Sequence, residues 1–210
     1  MMTKCKICSN STDYVSVKDK KYHICKNCGF ISLDKKYFLS EKQEKERYLK
    51  HENSLQNKGY VDFLNNFIEK AVIPKKPKTI LDFGSGPNPV LKELLRKKCF
   101  EVYTYDYYFD KNEKYKTTKY DMIVSVEVLE HLKEPLKTLK ELKKLLNKKG
   151  TIAIMTSFHQ NNIEKFKDWW YITDPTHISF FSIKTMENIA KELNMQSKII
   201  DKKNICLLNN

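Results

Sequence analysis

The sequence predicts an α/β fold: a mostly parallel sheet covered on both faces by helices, preceded by a small four-cysteine module. Three observations predict it. From residue 78 onward, apolar strand-length runs alternate with amphipathic helical stretches. A glycine turn, ILDFGSGPNP at 80–89, joins the first of these strands to the first helix. Two CxxC pairs fall within the first thirty residues.

The module, residues 1–34, comes first. Cys5-x-x-Cys8 and Cys25-x-x-Cys28 are separated by 16 residues, a spacing that suits a structural zinc ribbon with two knuckles and four thiolates. Gly29 supplies the tight turn after the second pair, and YVSVKD and YHICK read as short strands. Disulfides are the competing reading, disfavoured in a cytosolic chain. A redox pair is weakened by the repeat of the motif and the lack of a βαβ context. His23 competes as a ligand, but four thiolates already complete the site. The zinc is therefore expected to be structural, holding the N-terminus against the main domain or binding a partner.

Residues 35–77 read as a helical linker or lid. Residues 39–53 form a charged helix with Ser40 as N-cap. Tyr60, Leu64, Phe67, Ile68 and Ala71 mark the apolar face of a second helix. Tyr48, His51, Asn53 and Tyr60 are lid candidates, against the plainer reading of a solvated linker. Pro74 and Pro77 punctuate the chain before the main domain, residues 78–210.

There the elements alternate. Residues 78–83 make a strand and 89–98 a helix with Val90, Leu91, Leu94 and Leu95 on one side. Strands are expected at 100–106, 120–126 and 149–156, with a leucine-faced helix at 132–146 carrying Leu132, Leu136, Leu139, Leu142, Leu145 and Leu146. A helix at 182–194 precedes a terminal two-stranded hairpin. Cys99 and Cys206 read as buried core thiols.

Composition narrows the function classes. No apolar run approaches the ~20 residues of a membrane span, and MMTKCKICSN lacks the apolar segment of a secretory leader, so a cytoplasmic protein with no membrane partner is expected. The formal charge of +13 invites a nucleic-acid reading. Yet only Arg47 and Arg96 among the 39 basic residues are arginine, and the lysines scatter through every segment. Nucleic acid is a possible partner, but not the favoured one.

The strand ends define a candidate site. Asp82-Phe83-Gly84-Ser85-Gly86 closes the first strand, Asp106 the second and Ser125-Val126-Glu127 the third. The turn lacks the third glycine of a dinucleotide fingerprint, and an acid at Asp82 suits an ammonium group better than a phosphate. A nucleoside with a positively charged amino-acid tail fits that pattern.

These segments resemble the class I S-adenosylmethionine-dependent methyltransferases: ILDFGSGP the first motif, YTYD the second, and YDMIVSVEVLEHL with LLNKKGTIAIMTS the later ones, together covering 78–157. More narrowly, the chain resembles a bacterial group of methyltransferases with a four-cysteine start, an RYxxHxN…GY segment (47–60) and a WxYxxDPTHxxFF segment (169–181). The resemblance implies a Rossmann-like, seven-stranded or slightly reduced sheet. It implies S-adenosylmethionine held by Asp82, Gly84, Ser85 and Gly86 around the methionine moiety, with backbone groups at Phe83 and Ser125 taking its amino group. Asp106 would hold the ribose with Tyr107 beside the adenine, and Val126, Glu127 and His131 would line the cofactor side of the cleft. One departure stands out: Tyr120-Asp121 begins only fourteen positions after Asp106, too few for the usual helix and strand bearing an adenine-facing acid.

Methyl transfer is an in-line displacement, so such an enzyme mainly positions the acceptor and excludes water. KDWWYITDPTHISFF brings Trp169, Trp170, Tyr171, Asp174 and His177 close together. His177 is the expected general base, tuned by Asp174, with the aromatics packing an acceptor; the plainer reading is a helix-capping turn and core tryptophans. His159, after a strand end, is a further candidate. The expected activity is transfer to a small-molecule acceptor such as a sugar. The alternatives are an RNA methyltransferase gripping phosphate through the module and lysines, and a non-catalytic cofactor binder. The oligomeric state is not readable from the sequence.

Overall fold

The computed structural model describes residues 3–50 and 53–210. A six-stranded sheet forms the centre, in the order β5-β4-β6-β7-β10-β9. Its strands are β4 (Thr79–Phe83), β5 (Glu101–Tyr105), β6 (Tyr120–Val126), β7 (Leu146–Met155), β9 (Gln196–Asp201) and β10 (Ile205–Asn209). β5, β4, β6 and β7 run parallel, and only β10 opposes its neighbours. The expected seventh strand is absent among the described residues. The short span between β5 and β6 holds a 3-10 turn, Glu113–Thr117, whose Tyr115 packs on Tyr105 at 4.3 Å between ring centroids.

Successive strand residues point to opposite faces, and each face has its own cover. Ile80, Val102, Met122, Val124 and Ala153 meet α2 (Lys58–Phe67) and α3 (Val90–Lys97). α2 continues through a π turn, Ile68–Val72, and its predicted apolar face is buried from Leu64 to Ala71. Leu81, Ile123, Ile152 and Ile154 meet α4 (Pro135–Lys144), α6 (Ile183–Glu192) and the cysteine module.

Helix α4 is shorter than its leucine spacing suggests. Pro135 at its first turn sets the start, so Leu132 precedes it, while Leu146 already belongs to β7. Cys206 is buried, whereas Cys99 is exposed. Cys99 adopts φ 64° just past α3, where its N–H bonds to the Arg96 carbonyl; a left-handed residue ending a helix there faces solvent rather than the core.

The module builds a second sheet from β1 (Asp13–Val17), β2 (Lys20–Ile24), β3 (Ile31–Leu33) and β8 (Ser179–Phe180). β8 comes from the far end of the sequence and pairs with β3 through Ile31–Phe180 and Ser32–Ser179. Further ties come from Thr185 Oγ1 donating to the Cys28 carbonyl at 3.0 Å and from Phe30 packing on Phe181. Helix α1 (Glu41–Tyr48) follows, with Ser40 as N-cap closing a capping box with Gln43. The short α5 (Ile163–Lys167) lies between β7 and β8.

Candidate functional site

The carboxyl ends of β4, β5 and β6 open into a cavity of about 810 Å³. Its floor is the β4–α3 turn. Gly84 has φ 85°, and a Cβ there would stand 2.4 Å from Val128 Cγ2, so only glycine fits. Gly86, at φ 69°, instead faces open space: a Cβ would meet nothing within 4 Å. Asp106 braces this turn, its Oδ2 accepting the Gly86 N–H at 2.9 Å while its Oδ1 accepts the N–H groups of Tyr108 and Phe109.

Asp82 and Ser125 are buried and do not line the cavity. Asp82 is buried with Oδ2 unpartnered, and Ser125 Oγ is likewise unpartnered. Burial, and then the nearby Asp106 charge, push the Asp82 carboxyl up to about 7, with Lys92 opposing. Phe83, Gly84, Ser85, Gly86, Asp106, Tyr107, Val126, Glu127 and His131 all line the cavity. Tyr107 turns outward, its hydroxyl donating to Glu41 at 3.1 Å.

The opposite wall is built from two segments far apart in sequence, a 3-10 turn at Leu129–His131 and the 170–178 segment. Three bonds stitch them. His131 Nδ1 donates to the Thr176 carbonyl at 3.1 Å, Ile178 N–H to the Glu130 carbonyl at 2.8 Å, and Ser179 Oγ to the Leu132 carbonyl at 2.8 Å. The stitching brings the His131 and His177 rings to 4.8 Å between centroids. His177 Nδ1 donates to the Tyr171 carbonyl at 2.8 Å. A carbonyl only accepts, so both rings carry their proton on Nδ1 and present Nε2 as a lone pair when neutral.

Glu130 sits behind these rings and has no exposed surface. Its Oε2 accepts from Thr156 Oγ1 at 2.9 Å, while Oε1 has no hydrogen-bond partner, a buried orphan that costs ~1–3 kcal/mol. Glu127 holds φ 51°, a left-handed conformation costing a non-glycine residue ~1–3 kcal/mol. Its Oε2 accepts from Tyr171 Oη at 3.1 Å. Burial, then Glu130, raise the Glu127 carboxyl to about 9, and burial raises Glu130 too. Burial lowers His177 against the pull of Glu130.

Asp174 is tied up elsewhere. Its Oδ2 receives Arg47 Nη2 at 2.7 Å and Nε at 3.2 Å, and its Oδ1 receives both the N–H and the hydroxyl of Thr176. Burial opposes ionisation, yet these bonds hold the carboxyl far below the usual range. Tyr48, Asn53 and Tyr60 line the cavity, and His51 lies outside the described residues. Trp170 and Tyr171 reach the cavity; Trp169 packs with Phe166 and Phe180 instead. His159 is buried against Phe166 and Trp169, away from the cavity lining, and burial lowers it to about 4.

The four cysteines cluster. Cys5 and Cys28 sulfurs lie 3.5 Å apart, Cys8 and Cys25 sulfurs 3.4 Å apart, and all four fall within 4.8 Å of one another. A tetrahedral ion with bonds of about 2.3 Å places its sulfurs about 3.8 Å apart, so the cluster fits one. His23 Nε2 meets Asp34 Oδ2 at 2.9 Å and takes no part.

Open α/β sheets bind ligands where the chain leaves the first strand in opposite directions, here between β4 and β6, directly under the cavity. That makes the fold a Rossmann-like domain with its cavity at the switch point of the sheet. The chain belongs to the methyltransferase-domain family, which it matches over residues 49–197. No curated protein matches the sequence. Among solved structures it is similar to an O-methyltransferase family protein from Burkholderia thailandensis, with a TM-score of 0.55 at 10% identity over 71% of this chain and 55% of that one. The chain thus spans about half the length of that protein. It is also similar to the plantazolicin methyltransferase BpumL, solved with a monoazolic desmethylPZN analogue and SAH, with a TM-score of 0.52 at 14% identity over 80% of this chain and 90% of that one. A third is the magnesium protoporphyrin IX methyltransferase ChlM from Synechocystis PCC 6803 with bound SAH, with a TM-score of 0.51 at 14% identity over 83% and 95%.

Proposed function

We propose that the chain transfers a methyl group from S-adenosylmethionine to a small-molecule acceptor held in this cavity. The observation that carries the reading is the braced glycine turn: Gly86 leaves an open cradle, and Asp106 fixes it at the switch point of the sheet. When bound there, S-adenosylmethionine supplies an electrophilic methyl on a sulfonium. Asp82, an orphaned carboxylate beneath the turn, provides a negative charge for the amino-acid tail, and Asp106 faces the ribose. Tyr105, Tyr108 and Phe109 line the region beyond Asp106 and offer apolar surface to the base.

The chain's part in the chemistry is to position the acceptor and exclude water. Tyr171, His131, His177 and Trp170 form the acceptor wall, with Asp174 as the residue that positions this segment. For an acceptor that must lose a proton, the Nε2 lone pair of His177 is the base the fold offers when no ion stands between it and Glu130.

The lining argues for a compact, non-polyanionic acceptor: Glu41, Glu44, Asp106, Glu134 and Asp174 face Arg47 and Lys133. A phosphate backbone meets net repulsion there. Neighbours named for plantazolicin and for magnesium protoporphyrin IX support a small-molecule acceptor. The four-cysteine cluster holds a structural zinc.

Calorimetric titration with S-adenosylmethionine and S-adenosylhomocysteine tests the reading. Both are expected to bind in the micromolar range. Gly86→Ala, whose methyl enters open space, and Asp106→Ala are expected to lose that binding while still melting cooperatively. A folded wild type that binds neither compound rejects the proposal.

A further inference from the structure

We infer that Glu130, His131 and His177 form a divalent-cation site in the acceptor wall, distinct from the four-cysteine cluster. One ligand atom from each of Glu130, His131 and His177 lies within 4.8 Å of the other two, and Glu130 Oε1 stands 3.9 Å from His131 Nε2. Two ligands of one ion lie up to about 4.2 Å apart when each bond is about 2.1 Å, so the three atoms need to close by little.

Two independent features point to a cation rather than a packing accident. The first is the orientation of the rings. Histidines that bind metals typically anchor their other nitrogen on a carbonyl or carboxylate. Here both Nδ1 atoms donate to backbone carbonyls, those of Thr176 and Tyr171, which makes Nε2 the ligating nitrogen of each ring, and His131 Nε2 stands 3.9 Å from Glu130 Oε1. The second is Glu130 itself: wholly buried, with Oε2 fixed by Thr156 and Oε1 unpartnered toward the rings. A second carboxyl, Glu127, lines the same cavity. Two imidazoles with one carboxylate suit a first-row divalent cation, and three protein ligands leave positions open for a substrate.

The ligand class of the acceptor follows from that geometry. An ion at this wall coordinates an oxygen of the acceptor, most simply a hydroxyl, and makes it more acidic. Its proton leaves to water; the oxygen lone pair then bonds to the methyl carbon while the carbon–sulfur electrons return to sulfur, leaving a neutral thioether. His177 serves as a ligand in that case. The metal site stands on side-chain geometry alone; its place in methyl transfer rests on the function proposed above.

The test is titration of the zinc-loaded, full-length protein with Mn2+, followed by electron paramagnetic resonance. Thiolates select zinc over Mn2+, so the probe reports on the cleft. One Mn2+ per chain is expected, with nitrogen hyperfine coupling from two imidazoles in the wild type. Glu130→Gln is expected to weaken binding at least about tenfold, and His177→Ala to remove one nitrogen coupling, with retained S-adenosylhomocysteine binding reporting a folded cleft. Absence of saturable Mn2+ binding, or binding without nitrogen coupling, overturns the inference on the wild type alone. Mn2+ binding by a protein that ignores S-adenosylhomocysteine upholds the metal site and rejects the methyl-transfer reading.

Discussion

Asp82 puts a carboxylate where the folded protein alone cannot satisfy it. Its folded-state value of about 7 lies above the 3.8 of a solvated aspartate, so the native state keeps a proton that the unfolded chain has released. Stability attributable to this residue is therefore full below about pH 4, falls as pH rises toward 7, and stays low above that. The cost above pH 7 is of order 4 kcal/mol at most. Asp82→Asn is expected to melt higher than the wild type at pH 8 and to match it near pH 4, while binding S-adenosylmethionine at least tenfold more weakly. Melts at both pH values and one titration decide it, and an unchanged pH profile would discard this account of Asp82. Glu127 and Glu130 are raised too, which is why the comparison is between variant and wild type. The glycine turn and Asp106 could be read from the sequence because each motif is short and local. Glu130 escaped that reading: an acid three residues after Glu127 looks solvated until the fold buries it.

Helix α1 shows the same limit one scale up. Its composition, EKQEKERY, reads as a solvated linker behind an N-cap at Ser40, and the cap is where the sequence places it. What the charges do is a tertiary matter. Tyr107 donates to Glu41, Tyr108 to Glu44 at 2.6 Å, and Arg47 grips Asp174, so the helix straps the loop after β5 to the acceptor wall. These partners lie 64 to 127 residues away in sequence, beyond the reach of any local pattern. Arg47 is partly exposed, so its ion pair adds at most about 1 kcal/mol to stability. Arg47→Ala is accordingly expected to melt within a few degrees of the wild type, yet to bind S-adenosylhomocysteine about tenfold more weakly as the strap loosens. Equal affinity in the two proteins would show that α1 does not close the cavity. The boundary of α4 was similarly open to a sequence reading only in part, since leucine spacing continues across both of its ends while Pro135 and β7 do not.

At the scale of the molecule, the cysteine module and the cleft form one mechanical unit. The link is β8, whose two residues carry no periodicity by which a sequence could reveal a strand. Ser179 and Phe180 pair with β3, three residues beyond Cys28, while the residues just before them, Thr176 to Ile178, bond to Glu130 and His131. Phe30 and the cysteines also share an apolar cluster with Phe181 and α6. The zinc proposed for Cys5, Cys8, Cys25 and Cys28 would thus fix β3, which pairs with β8, and the residues just before β8 hold His177 beside Glu130 and His131. Removing that ion is expected to act at the acceptor wall before it acts at the glycine turn, because the turn is braced by Asp106 within the large sheet. Chelation under reducing conditions, or Cys25→Ser, should shift the fluorescence of Trp169 and Trp170, which flank Tyr171, and abolish turnover on any acceptor. S-adenosylhomocysteine affinity should fall much less, within about tenfold. Cofactor binding lost in step with the metal would mean instead that the module supports the whole domain; turnover surviving the loss would mean that the ribbon serves a partner rather than the cleft.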